Sequence, residues 1–234
     1  MASKSIIYLI PTVLHEDAVE TIPPYVVDAI KNCTVIFAEQ ERTARRFFKS
    51  IWKEMVIDDY EWYAIHKAEG EQLAQFRLKI KEGKHIAIVS EAGCPGIADP
   101  GQLLIRAAQE MGAVIKPLAG PSSILLALMA SGMNGQHFEF TGYLPIDAQQ
   151  RVRAIRELEA QSQKTGAAKI FIETPYRNNQ LIATLLQTCR PDTPLCIAAD
   201  ISSPQEKIVT ARIGDWKKAV PDLHKHPVIF LLQA

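Results

Sequence analysis

The chain's densest chemistry lies in twelve consecutive residues, Ser90-Glu91-Ala92-Gly93-Cys94-Pro95-Gly96-Ile97-Ala98-Asp99-Pro100-Gly101. Gly93 and Gly96, with Pro95 between them, let the backbone approach a ligand closely. Glu91 and Asp99 add negative charge suited to a cationic or hydroxyl-bearing partner. The apolar run Ile86-Ala87-Ile88-Val89 precedes the loop and an amphipathic helix pattern follows it. A strand emptying into a small loop and then a helix is where open α/β sheets bind ligands. The loop as a whole therefore reads as a binding element. Asp99 alone reads as the helix N-cap, with Pro100 at the first helical position.

Three further clusters stand at similar junctions. Gly120-Pro121-Ser122-Ser123 opens an apolar helix, and its free N–H groups suit a carboxylate or phosphate as well as they suit serine capping. After the strand ending at Ala38 come Glu39 and a helix on which Arg42, Arg45, Arg46, Lys49 and Lys53 form one stripe opposite Phe47, Phe48, Ile51 and Trp52. Such a stripe is ordinarily a solvated face, and its position also allows phosphate contact. In Phe171-Ile172-Glu173-Thr174-Pro175-Tyr176-Arg177, Glu173 and Arg177 are spaced for an ion pair or for orienting a substrate hydroxyl.

Other chemistries lack their signatures. No G-x-G-x-x-G or G-x-x-x-x-G-K-[ST] is present, which argues against dinucleotide binding and nucleotide hydrolysis. Cys33, Cys94, Cys189 and Cys196 show no C-x-x-C spacing, so no metal is expected and the thiols read as reduced in a cytoplasmic protein. The six histidines are scattered and receive no role. Pro23-Pro24-Tyr25 reads as a helix start rather than as an amino-methylase motif, because Ile22 stands where a polar residue would be needed.

These residues need strands and helices in alternation. Residues 5–10, 34–38, 55–57, 85–89 and 113–117 read as strands of a first, mostly parallel sheet, with a helix at 102–111 and Gly112 at its C′ position. A second set follows, with helices at 122–131, 149–161 and 176–189. Its strands at 138–140, 169–172, 195–199, 207–212 and 228–232 form a mixed sheet, because the late strands adjoin without intervening helices. The expected architecture is two α/β domains in tandem, residues 1–117 and 118–234, with a ligand cleft between them. At 234 residues both domains can bury a core. No run approaches a membrane span, and the N-terminal apolar segment is too short for a leader. The 26 basic and 26 acidic residues balance, so no global field recruits nucleic acid.

The ordered motifs Ile7-Tyr8-Leu9-Ile10-Pro11-Thr12, Ala38-Glu39 with Arg42, the loop at 90–101, Pro117-Leu118-Ala119-Gly120-Pro121-Ser122-Ser123, Gly142-Tyr143-Leu144-Pro145 and the segment 171–177 resemble the tetrapyrrole methylase superfamily. They are most similar to its bacterial 16S rRNA (cytidine-2′-O)-methyltransferase branch. The resemblance implies an S-adenosylmethionine-dependent enzyme, usually a homodimer, with the cofactor in the interdomain cleft. It places Pro11, Ser90, Glu91, Ala92, Gly93 and Ile97 beside the cofactor and Ser122 and Ser123 at its methionine part. Ala198, Ala199, Pro227 and Val228 fall on the adenosine side. Glu39 and Glu173 become candidate bases, and Arg42 and Arg177 candidate substrate-orienting cations. The implied substrate is rRNA of the small ribosomal subunit; a tetrapyrrole or other small-molecule acceptor, and a non-catalytic paralogue, are the alternatives.

This chain departs from the branch in three places. Glu39-Gln40-Glu41-Arg42 replaces Glu-Asp-Thr-Arg, and Leu14-His15 replaces Gly-Asn. Residues 199–206 lack the Arg and Lys of Arg-Glu-x-Thr-Lys-x-x-Glu. Many relatives also carry a small C-terminal domain beyond the position of Ala234. These departures mark a divergent member with its cofactor elements retained and its substrate elements altered.

Overall fold

The computed structural model describes residues 4–65 and 69–234; residues 1–3 and His66 lie outside them. The chain divides into two compact units, one ending at Ser122 and the next beginning at Ser123.

The first unit runs β1 (Ile6–Ile10), α1 (Tyr25–Lys31), β2 (Val35–Ala38), α2 (Glu41–Ile51), β3 (Glu61–Ala64), α3 (Glu69–Lys81), β4 (Ile86–Val89), α4 (Gln102–Glu110) and β5 (Val114–Pro117). Its five strands are all parallel in the order β3-β2-β4-β1-β5. Central strands of a parallel sheet are covered on both faces, so they read as unbroken apolar runs. Tyr8, Ile10, Ile36 and Ala87 pack on one face with Val26 and Ile30 of α1 and Phe48 of α2. Ile7, Val35, Phe37 and Ile88 pack on the other with Phe76 of α3 and Leu104 of α4.

The second unit runs α5 (Ser123–Ser131), β6 (Phe138–Tyr143), α6 (Ala148–Thr165), β7 (Ala168–Ile172), α7 (Asn178–Thr188), β8 (Pro194–Ala199), β9 (Lys207–Arg212), α8 (Ile213–Trp216) and β10 (Val228–Leu232). The sheet order is β6-β7-β10-β8-β9, with only β6 and β7 parallel. The mixed sheet expected from the late strands is present. Ile155, Leu181 and Leu185 of α6 and α7 pack on Phe171, Ile197 and Phe230.

Three local expectations are corrected. Residues 55–57 do not form a strand: Val56 is 54% exposed and Ile57–Asp59 is a 3-10 turn carrying two aspartates. The edge position goes to β3, because Tyr63 stacks on Phe37 at 4.8 Å and Trp62 packs near Phe48 at 6.0 Å. Helix α2 ends at Ile51, so Lys53 falls beyond the basic stripe. Asp99 does not cap α4. Gly101 occupies that position with φ +125°, and Glu69 Oε1 accepts from the amides of Gly101, Leu103 and Leu104 at 3.1, 2.7 and 3.3 Å.

A carboxylate supplied by a neighbouring helix satisfies donors that a helix cannot satisfy itself, and its charge matches the helix dipole. Glu69→Ala is expected to lower stability by about 1–2 kcal/mol in urea unfolding. An unchanged midpoint would show that those amides are capped from elsewhere.

Candidate functional site

The helices following β1 and β4 leave for opposite faces of the first sheet, although the two strands are neighbours. That arrangement is a topological switch point, where the loops diverge and leave a crevice at the strands' carboxyl ends. The loop at 90–101 and the segment after β1 meet there. Thr12 N–H donates to Gly93 O at 2.8 Å, and Gly93 N–H returns to Thr12 O at 3.2 Å. Gly93 sits at φ +69°, a conformation that L side chains rarely adopt. The segment after β5 joins them: Cys94 Sγ lies 3.6 Å from Pro121 O, and a Cβ on Gly120 would fall 2.1 Å from Pro11 Cβ. Only glycine permits that approach. The Tyr25 hydroxyl accepts from Ala119 N–H at 2.6 Å, which is the structural use of the Pro-Pro-Tyr segment.

Pro11, Ser90, Glu91, Ala92, Gly93, Ile97 and Ser122 are thus gathered by the loops after β1, β4 and β5. Pro11, Ser90 and Gly93 are buried, while Glu91, Ala92 and Ile97 are exposed. Ala98 adopts φ +64°, strain that a non-glycine residue keeps only where its surroundings impose it. Among the described residues, the amides of Ala92, Ala98 and Asp99 have no acceptor.

Glu39, just past β2, is buried with Oε2 accepting from Glu91 N–H at 3.0 Å. Glu91 Oε1 accepts from the Thr43 hydroxyl at 3.1 Å. Burial pushes the Asp99 carboxyl up to about 6, helped by the charges of Glu39 and Glu91. The loop is therefore an acidic, donor-rich surface. Among the described residues, no group of three or more metal-ligating side chains is assembled.

Of the basic stripe, Arg45 pairs with Glu41 at 2.7 Å and lies over the Trp62 ring, and Lys49 Nζ reaches the Met55 carbonyl at 3.0 Å. Arg42 and Arg46 remain exposed without such partners among the described residues. The stripe on α2 is thus a solvated face, as expected, on which Arg45 and Lys49 also make contacts within the fold.

In the second unit, Glu173 is buried just past β7. Its Oε1 accepts from Thr174 N–H at 2.6 Å and from Arg177 Nε and Nη2 at 3.0 and 2.7 Å. None of those bonds uses Oε2. The Glu173–Arg177 pair is the ion pair that the spacing predicts. Ala198 and Ala199 are buried in β8, in register with Ile229 and Val228 of β10, and Ser123 starts α5. The Pro227 carbonyl accepts from Asp200 N–H at 3.0 Å.

Sequence reasoning missed several partners. His226 Nδ1 lies 2.6 Å from Asp200 Oδ2, and the His224 ring packs edge-on to Tyr176 at 5.9 Å. His85 Nδ1 accepts from Ile6 N–H at 3.1 Å. These contacts span long sequence separations, so no local pattern announces them. The four cysteines are unpaired; burial pushes Cys33 and Cys189 up to about 12, which makes them poor nucleophiles.

With the fold and loops in place, the comparisons identify the class. The profile of the tetrapyrrole (corrin/porphyrin) methylases matches residues 17–217, and the chain belongs to that family. The ribosomal RNA small subunit methyltransferase I of Micromonospora olivasterospora is 28% identical over 214 residues, covering 92% of this chain and 65% of the relative. The protein of the same name from Escherichia coli O157:H7 is 29% identical, covering 73% and 60%. That from Bacillus subtilis strain 168 is 27% identical, covering 92% and 70%. The chain thus spans about three-fifths to seven-tenths of these relatives' lengths. Among solved structures, the methyltransferase CobJ superposes with TM-score 0.65 at 17% identity, covering 99% of this chain and 94% of that one. Uroporphyrin-III-C-methyltransferase from Thermus thermophilus gives 0.56 at 16%, covering 98% and 92%. These likenesses establish the fold.

The Asp99 environment yields a pH test. Its folded value lies above the ordinary 3.8, so the folded protein takes up this proton before the unfolded chain does. Asp99 thus favours folding increasingly as pH falls from about 6 toward 4, and is a destabilising charge above 6. Asp99→Asn should raise Tm by about 2–4 °C at pH 8, with the gain fading near pH 4. A lower Tm at pH 8 would mean that the carboxylate holds a favourable partner.

Proposed function

We propose that the protein is an S-adenosylmethionine-dependent methyltransferase acting on a ribose 2′-hydroxyl of small-subunit rRNA. The observation that carries this reading is the sequence likeness to ribosomal RNA small subunit methyltransferase I over nearly the whole chain. The interlocked loops at the switch point add physical support. Unpaired amides suit the donor's carboxylate and ribose oxygens, and the acidic surface of Glu39, Glu91 and Asp99 suits its sulfonium.

Pro11, Ser90, Glu91, Ala92, Gly93, Ile97 and Ser122 would hold the donor in the first unit. In the second, Ser123, Ala198, Ala199, Pro227 and Val228 carry the remaining proposed contacts. When bound, the donor supplies an electrophilic methyl group with a neutral sulfide as leaving group. The chain's task is then to align the acceptor hydroxyl, exclude water and take its proton. Glu39 and Glu173 are the proposed bases; in Glu173 the acceptor is Oε2, since Oε1 is taken by Arg177 and Thr174. Arg42 is the proposed phosphate contact and Arg177 the positioning cation. A cytoplasmic homodimer completes the reading, supported by the edge strand β6 and by Met129, which is 79% exposed on α5. No helix among the described residues is long and apolar enough to cross a membrane.

Calorimetric titration should show stoichiometric binding of S-adenosylmethionine. Labelled methyl should pass to unmodified 30S subunits and survive alkaline hydrolysis as a 2′-O-methyl mark. Whichever of Glu39→Gln and Glu173→Gln removes the base should lower kcat about 10²–10⁴-fold with donor affinity retained. Transfer confined to a uroporphyrinogen-type acceptor, or no donor binding, would overturn the assignment.

A further inference from the structure

We propose that Asp200 and His226 of the second unit are positioning residues for the methyl donor, their side-chain contact holding the strand ends that carry Ala198, Ala199, Pro227 and Val228. The proposal rests on the donor reading above and gives a role to two side chains outside the proposed donor contacts.

The need for such a contact begins with one residue type. Strands β8 and β10 pair antiparallel, with Ala199 opposite Val228. One rung further on, Asp200 N–H donates to Pro227 O at 3.0 Å. Proline has no N–H, so the bond that an antiparallel pair returns across such a rung cannot form. The ladder is therefore one bond short at the end where the proposed donor contacts lie. Side chains join the same two segments there, with His226 Nδ1 2.6 Å from Asp200 Oδ2. A carboxylate only accepts, so Nδ1 carries the proton. The Asp200 side chain is 16% exposed, which shields the contact from competing water.

The backbone on both sides is held against its own preferences. Four non-glycine residues among the described ones have positive φ, and three of them flank this contact: Asp200 at +53°, Ser202 at +67° and Lys225 at +67°. Such conformations persist only where the surroundings over-determine them. In the turn after β8, Ser202 N–H donates to Glu206 Oε2 at 2.7 Å and Ser203 N–H to Asp200 O at 3.0 Å. In the turn before β10, Lys225 N–H donates to Pro175 O at 3.0 Å, and buried Asn178 donates from Nδ2 to His226 O at 2.7 Å. Those bonds fix each turn separately. The imidazole and the carboxylate fasten one turn to the other. Asp200 falls in the stretch 199–206, where this chain departs from the branch it resembles, so its partner is set by this chain's own geometry. With the contact gone, the donor would have to order backbone that is otherwise already in place. Binding weakens while the chemistry of transfer is untouched.

Calorimetric titration with S-adenosylhomocysteine reads the effect without turnover. His226→Ala should raise Kd about tenfold. His226→Asn, whose amide nitrogen can stand where Nδ1 stands, should recover part of the loss. His224→Ala removes a nearby imidazole that makes no bond to Asp200 among the described residues, and should match the parent protein. In methylation assays His226→Ala should raise KM for S-adenosylmethionine and keep kcat at saturating donor. In the donor-free protein, amide exchange of His226→Ala should speed up at Asp200 and stay unchanged at Cys196 and Leu231, which pair further along the same ladder. An unaltered Kd in His226→Ala, a lowered kcat with KM unchanged, or faster exchange spreading to Cys196 and Leu231 would each overturn the proposal alone. No binding of S-adenosylhomocysteine or S-adenosylmethionine by the parent protein would sink the donor reading and this proposal with it.

Discussion

The first unit is organised by one main-chain lock, in which the segments leaving β1 and β4 exchange hydrogen bonds through Thr12 and Gly93. Parallel strands release their loops at the same end of the sheet, and neighbours whose loops leave for opposite faces would otherwise gape. The exchange closes that gap with two backbone bonds, and the Thr12 hydroxyl adds longer contacts to the carbonyls of Ser90 and Gly93 at 3.4 and 3.5 Å. The third segment then clamps the pair from the far side, because Gly120 lies flat against Pro11. Loops held this way keep their exposed amides and carboxylates in place without filling the space around them. A ligand can then meet backbone donors that need little reorganisation.

The electrostatics follow from that closeness. Glu39 follows β2 while Glu91 and Asp99 share the loop after β4, and all three lie near enough for Glu39 and Glu91 to raise the Asp99 carboxyl after burial has done most of the work. Concentrated negative charge is unfavourable by itself and is offset by any positive charge brought beside it. The basic side chains of α2 show the complementary logic. Two of them serve the fold, through Glu41 and the Met55 carbonyl, which leaves Arg42 and Arg46 to solvent. The division separates structural cations from those available to a polyanion.

Much of the fold was legible because each sheet writes its burial into local pattern. The strands at β1, β2 and β4 read as apolar runs, since they lie inside the sheet with both faces covered. Gly112 marked the end of α4 because a left-handed residue there favours glycine. The edge strand β3 was not legible. Glu61-Trp62-Tyr63-Ala64 carries little apolar periodicity, and its place is set by aromatic contacts with Phe37 and Phe48, distant in sequence. The Asp99 cap failed for a related reason. A carboxylate beside a helix start is a sound local signal, but Glu69, thirty residues earlier, reaches the same amides with better geometry.

The sequence by itself determined the alternation of strands and helices, the glycines where two backbones touch, the Glu173–Arg177 spacing and the family motifs. Each of these is encoded within a few residues, by periodicity, by steric permissiveness or by one turn of helix. Only the tertiary structure decided which carboxylates share a surface, which arginines stay unpaired, and that Asp200 meets His226. Those are contacts between segments far apart along the chain, and their distances depend on packing that no local pattern records.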